Sequence, residues 1–155
     1  MFYYHGWPSS RLQARLAHHV AKDRGIRLIA ADRPGIGKST LIRDRKLDDW
    51  PKLMARFADH LGIGKFGQLG VSGGQGVMTD AEIYLSKPEI RPEEITHPIR
   101  YWHGGDDKNI PTALVEDLTA KMPNATLDIV DGLGHFSLAV LRAGAAMDFI
   151  AQRST

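Results

Sequence analysis

Short apolar runs and amphipathic stretches alternate along this chain. Phe2-Tyr3-Tyr4 is a stub of strand that ends at His5-Gly6. Leu12, Leu16 and Val20 recur every four residues, which predicts a helix over 11–24, capped by Ser9 or Ser10 and stopped at Gly25. The run 27–31 reads as a buried strand. A second helix is predicted over 49–61, with Pro51 in its first turn, Leu53, Phe57 and Leu61 on one face, and Gly62 after it. A third strand follows at 66–71 and a weaker helical pattern at 77–86. The Pro- and charge-rich stretch 87–98 reads as a connection. Then come a strand at 99–103, a helix at 112–122 ended by Pro123, a strand at 127–130, and one closing helix over 137–151 with Leu138, Leu141, Ala145 and Phe149 inward.

Strand followed by helix, repeated, predicts an α/β fold with a largely parallel sheet of about five strands and helices in layers on both sides, α/β/α. In such sheets ligands bind beyond the carboxyl ends of the strands. The informative residues are therefore those just after each strand: His5-Gly6-Trp7, Asp32-Arg33-Pro34-Gly35, Ser72-Gly73-Gly74, Gly104-Gly105-Asp106-Asp107 and Gly134-His135.

Composition narrows the function classes. With 155 residues the chain is one domain's worth, and its charge is balanced, 20 basic against 18 acidic side chains. The resulting net +2 argues for neither nucleic acid nor an anionic membrane as partner. The absence of cysteine excludes disulfides, thiolate catalysis and cysteine zinc sites. No apolar stretch approaches the ~20 residues of a membrane span, and no secretory signal pattern opens the chain, so a cytoplasmic protein is the expectation. Seven histidines invite a search for ligand sets. His18, His19 and His60 fall in predicted helices as ordinary surface or half-buried residues. His5 and His103 adjoin glycines at strand ends, where structural hydrogen bonds are the simpler role. No metal-ligand spacing emerges.

One loop imitates a nucleotide site. Asp32-Arg33-Pro34-Gly35-Ile36-Gly37-Lys38-Ser39 follows a strand and ends in Gly-Lys-Ser. A phosphate loop needs a glycine five positions before Gly37, and Asp32 stands there. Its carboxylate would face the phosphates, and Pro34 removes a backbone donor. The reading that survives is a surface loop turning on Gly35 and Gly37.

Gly70-Val71-Ser72-Gly73-Gly74 fits G-x-S-x-G between a predicted strand and a predicted helix. The turn must be sharp enough to project the Ser72 hydroxyl from the sheet edge, and the Gly73 N–H at the helix start then points at an oxyanion. Alone, the motif is equally a glycine-rich turn. An activated serine also needs a base and a carboxylate to orient that base. His135 follows the last strand and Asp107 the fourth, so the chain order is Ser72, Asp107, His135.

These motifs together resemble the α/β-hydrolase fold superfamily, in its serine hydrolase and esterase-like branch. The resemblance is carried by His5-Gly6-Trp7-Pro8-Ser9-Ser10-Arg11, Asp32–Ser39, Gly70–Gly74, His103-Gly104-Gly105-Asp106-Asp107-Lys108-Asn109-Ile110-Pro111 and Gly134-His135, in order and over almost the whole chain. It implies Ser72 as nucleophile, His135 as base and then acid, and Asp107 as the orienting carboxylate, with Asp106 the fallback. It implies backbone N–H donors from Trp7 and Gly73 for the oxyanion, a small-molecule acyl substrate, and no cofactor or metal. In the family the Asp-Arg-Pro-Gly loop borders the active site and binds no nucleotide.

The chain also departs from that pattern. Relative to the family it opens at the strand preceding the oxyanion hole, and 75–80 runs almost directly into 95–99, as if a strand and most of a lid were deleted. The expectation is a single core domain over 1–155 with the lid reduced to about 75–98. Trp7, Tyr3, Phe66 and Trp102 are then candidates for exposure, which favours a homodimer. The alternative to an enzyme is a catalytically silent, shortened member that binds a small ligand or partner.

Overall fold

The structure, a computed structural model, describes residues 1–6, 9–71 and 91–153. Trp7, Ser72, Gly73, the helix predicted at 77–86 and most of the expected lid lie outside the described residues. The chain forms two compact units, one of Met1–Glu89 with Met147–Thr155, the other of Ile90–Ala146.

The first unit is built on a three-stranded parallel ladder: β1 (Phe2–Tyr4) lies between β2 (Ile29–Ala30) and β3 (Gln68–Gly70). Register pairs Phe2 with Ile29 on one side and with Gln68 on the other. Successive residues of β1 face opposite sides of the sheet. Phe2 is 1% exposed and packs with Met54 and Ala58 of α2 (Asp49–His60), surrounded by Tyr4, Trp50, Phe57 and Phe66. Its ring meets Phe66 edge-on at 4.7 Å and Phe57 at 5.9 Å. Tyr3 is also buried, and Phe66 and Trp102 are half-buried, so the expected exposure of these three is corrected. Packing against the Phe2 ring covers Phe66.

The helix predicted over 11–24 forms in two pieces, a 3₁₀ stretch over Arg11–Ala17 and then α1 (His18–Asp23). Ser10 is the cap, its hydroxyl accepting from the Leu12 N–H, and Gly25 ends the helix at φ 64°. The inward face is not the leucine stripe. Leu12 and Leu16 are exposed, while Ala17 and Ala21 are buried. Three residues per turn put 12 and 16 on different faces, and the Gln13 Oε1 takes the Gly6 N–H at 2.8 Å.

The second unit is a two-stranded parallel ladder of β4 (Ile99–Gly104) and β5 (Ala125–Val130), paired along their whole length from Ile99–Ala125 to Gly104–Val130. Against it pack α3 (Thr112–Ala120) and α4 (His135–Leu141). The one closing helix expected at 137–151 is instead two, α4 and α5 (Ala143–Ala151), broken where Arg142 adopts φ −106°, ψ 0°. The break changes the buried stripe: Ala143, Ala146 and Met147 are buried, whereas Leu141 is exposed. Among the described residues the five strands are parallel to their neighbours, as the alternating pattern predicts, but they fall into two ladders.

Truncating Phe2 empties the centre of the first unit. Phe2→Ala is expected to destabilise it by about 3–5 kcal/mol and Phe2→Leu by clearly less. Urea unfolding of the two variants checks the ordering.

Candidate active site

The ends of β4 and β5 are stitched together by backbone. Gly105 N–H donates to Val130 C=O (2.9 Å), Asp106 N–H to Leu133 C=O (3.0 Å) and Asp107 N–H to Gly104 C=O (3.0 Å). Gly104 is required at this seam, because an added Cβ would strike the Leu133 carbonyl oxygen. The buried His103 closes the same loop from below, its Nε2–H donating to the Ile110 carbonyl at 3.1 Å.

This seam brings Asp107 to His135. Asp107 Oδ1 accepts from the N–H groups of Asn109 (2.8 Å) and Ile110 (3.0 Å), an Asx-type turn. Asp107 Oδ2 lies 2.8 Å from His135 Nδ1, and the two side chains are 3% and 8% exposed. Burial pushes the Asp107 carboxyl up, but the Ile110 N–H, the His135 ring and the Asn109 N–H outweigh it and hold the carboxyl below its ordinary value. Asp107 is therefore ionised at neutral pH and can only accept. The Nδ1 of His135 must carry the proton, which leaves Nε2 of the neutral ring as a lone pair. That Nε2 is buried and has no hydrogen-bond partner among the described residues.

His135 opens α4. The Gly134 N–H is taken by Ser137 Oγ at 2.9 Å and the Gly134 carbonyl by the Leu138 N–H at 3.1 Å, which fixes the first turn. Phe136 packs its ring edge-on to the imidazole, 5.1 Å between centroids. Asp106, the fallback carboxylate, is exposed. Asn109 and Ile110 belong to the sequence motif without a role of their own there, although an aspartate two residues before an Asn-Ile-Pro run is a turn signal that points to their N–H groups. Nucleophile and oxyanion candidates Ser72, Gly73 and Trp7 lie outside the described residues.

The imitation nucleotide loop resolves into a closed anion site in the first unit. Asp32 is buried, and its carboxylate takes the Arg11 N–H (2.6 Å), the Arg11 guanidinium and the Lys38 N–H (3.4 Å). Gly37 sits at φ 58°, and a Cβ there would collide with the Asp32 carboxylate. Ser39 Oγ donates to the Asp32 carbonyl at 2.8 Å. The place a phosphate would occupy is filled by the chain's own carboxylate. His5 spans to the same loop, Nδ1–H donating to Gly6 C=O (3.0 Å) and Nε2 accepting from the Arg33 N–H (3.4 Å). Among the described residues no cluster could hold a metal ion, and no helix is long and apolar enough to cross a membrane.

Comparison with solved structures places this architecture. An α/β hydrolase, MGS-MChE2, from the metagenome of lagoon sediments at Mar Chica, Morocco, superposes with a TM-score of 0.70 at 14% identity, over 99% of this chain and 91% of that one. This is the α/β-hydrolase fold. The hydrolase fold is matched likewise by a predicted CIB-like hydrolase from Thermoplasma acidophilum (TM-score 0.66, 18% identity, 98% and 82% of the two chains). Est1E of Butyrivibrio proteoclasticus with ferulic acid bound gives a TM-score of 0.66 at 15% identity, over 99% of this chain and 88% of that one. No protein-family model matches the sequence, and no curated protein does.

Two predictions follow from the seam and the closed loop. Gly104→Ala should cost about 1–3 kcal/mol by overpacking and should weaken the low-field Nδ1–H resonance of His135, read by proton NMR. For Asp32, burial raises the carboxyl, but the Arg11 N–H and guanidinium and the Lys38 N–H outweigh it and hold it low. A depressed folded value stabilises fully above the unfolded value of about 3.9 and is lost as pH falls through the folded value. Asp32→Asn should therefore be less stable at pH 7, by about 1–3 kcal/mol, and should lose less stability than the parent between pH 5 and pH 2, a window of about 3 units around the ordinary carboxyl value. Urea unfolding across that range decides it; equal acid slopes would contradict the assignment.

Proposed function

We propose that this chain is a serine hydrolase that cleaves a small carboxylic ester or a related acyl bond. The observation that carries the reading is the His135 imidazole, oriented at Nδ1 by a buried, ionised Asp107, with a buried Nε2 that has no partner among the described residues. A neutral imidazole held in one tautomer by a carboxylate is a general base awaiting a proton. Support comes from the G-x-S-x-G stretch at 70–74, from the order Ser72, Asp107, His135, and from a fold shared with hydrolases and esterases.

In the proposed reaction, Ser72 Oγ attacks the acyl carbon as its proton passes to His135 Nε2. The negative charge on the carbonyl oxygen is met by the N–H groups of Trp7 and Gly73, donors of a kind worth about 10²–10³ each in rate. The tetrahedral species collapses, the imidazolium gives its proton to the leaving alkoxide, and Ser72 is left acylated. Water then repeats the sequence: His135 takes its proton, the hydroxyl adds to the acyl carbon, and Ser72 leaves with the proton returned. Asp107 stays ionised throughout and stabilises the imidazolium.

Labelling with a fluorophosphonate probe tests this without knowing the natural substrate. The parent should label, and Ser72→Ala and His135→Ala should not. Asp107→Asn should hydrolyse a p-nitrophenyl ester about 10³–10⁴ more slowly, because the amide permits the wrong tautomer. A cooperatively folded parent that fails to label overturns the proposal.

A further inference from the structure

One buried side chain at the end of β4 is not used in the proposed reaction. His103 is 6% exposed. An imidazole taken out of water costs free energy unless its polar atoms find partners, and a leucine there would need none. His103 Nε2 lies 3.1 Å from the Ile110 carbonyl oxygen, which can only accept, so Nε2 carries the proton. Ile110 is then held on both sides of its Cα. Its C=O takes the His103 N–H, and its own N–H goes to Asp107 Oδ1 at 3.0 Å. With both flanking peptide planes pinned, φ and ψ at Ile110 have little freedom left. Pro111 restricts them again, because its ring drives the preceding residue out of helical backbone. The other donor to Oδ1 is the Asn109 N–H. Asn109 is exposed, so water competes for that bond, whereas Ile110 is half-buried.

We infer that His103 is a positioning residue for the Asp107–His135 pair and acts through Ile110. It aims the N–H that anchors one carboxylate oxygen, and so sets where the other oxygen meets His135 Nδ1, 2.8 Å away. Against burial, which pushes the Asp107 carboxyl up, the Ile110 N–H is the strongest of the bonds that hold it down. A residue that fixes this N–H therefore acts on the carboxylate's charge as well as on its place. The reach is specific. A donor at the Nε2 position bridges β4 to Ile110, a shorter amide falls short, and an apolar side chain leaves the carbonyl without its bond. If His103 only closed the loop, its loss would lower stability and leave the Asp107–His135 bond as it is. The effect on turnover rests on the serine hydrolase reading; the effect on the Asp107–His135 bond does not.

Proton NMR on the full chain reads that bond directly, through the low-field Nδ1–H resonance of His135, assigned by its loss in His135→Ala. His103→Leu should broaden it, with exchange against water about tenfold faster or more, as for one bond lost from a buried network. His103→Gln, whose amide reaches where Nε2 stands, should restore it. His103→Asn, one methylene shorter, should not, and serves if His103→Leu does not fold. With a p-nitrophenyl ester, His103→Leu should lower kcat about 10–100-fold at nearly unchanged KM, the cost of misplacing a group by up to about 1 Å, and His103→Gln should recover most of the loss. In the parent, the Ile110 amide should exchange with deuterium about tenfold more slowly than the Asn109 amide, a comparison that needs no variant to fold. Ser72→Ala, which removes the proposed nucleophile, should keep the parent's resonance, so the two proposals fail separately. A folded His103→Leu with the parent's resonance, His103→Gln no better than His103→Asn, or equal exchange of the two amides would each overturn the inference.

Discussion

A carboxylate taken out of water must recover what it has lost, and in this chain that requirement organises the loops. Asp107 is 3% exposed at its side chain, deep enough that its charge survives only through the N–H groups aimed at it. Asn109 and Ile110 satisfy one oxygen, which curls the loop after β4. The other oxygen is left for a donor from elsewhere in the fold, and His135 is what the seam between β4 and β5 delivers. Gly104, the Leu133 carbonyl and the Asp106 N–H matter because they set how far that donor stands from the acceptor. Removing any of these moves a distance that the ion's desolvation leaves no freedom to change.

Parallel pairing explains why the seam sits where it does. In a parallel ladder both strands end at the same edge, so the residues following each are neighbours without being close in sequence. β4 and β5 pair over six residues each and end together at Gly104 and Val130. Residues 105–107 and 131–135 are thereby placed side by side across a 28-residue separation. The stiffness of the pair comes from this ladder and from α3 and α4 packed on it, while the chemistry hangs from its last rung.

Much of this was legible from the sequence, and the exceptions have physical causes. The order of strands and helices followed from apolar periodicity, and the post-strand residues followed from the rule that sites lie at carboxyl ends. The helix faces did not. Leu12 and Leu16 share a face only if the turn is 3.6 residues long, and a 3₁₀ start makes it three. Leu138 and Leu141 continue one stripe into Ala145 and Phe149 only if the helix is unbroken, and Arg142 breaks it without a proline or glycine at the break. Asp106 and Asp107 are chemically identical in the sequence. What separates them is backbone: the Asp106 N–H goes to Leu133 and its side chain to solvent, whereas Asp107 turns inward.

Two buried aspartates after two parallel strands show how one anchoring chemistry yields two outcomes. Asp32 and Asp107 both take backbone N–H groups on one side, and both are held below the ordinary carboxyl value by those bonds. They differ in the remaining partner. Asp32 has Arg11, whose guanidinium never releases its proton, so the pair is a permanent lock and the loop that imitates a phosphate cradle is closed for good. Asp107 has His135, whose ring can gain a proton at one nitrogen while giving nothing up at the other. The same carboxylate that would freeze a guanidinium in place instead fixes the imidazole's tautomer and leaves the far nitrogen as the acceptor. The difference between a structural clasp and a poised proton acceptor is thus one partner residue, set by which loop the sheet brings alongside.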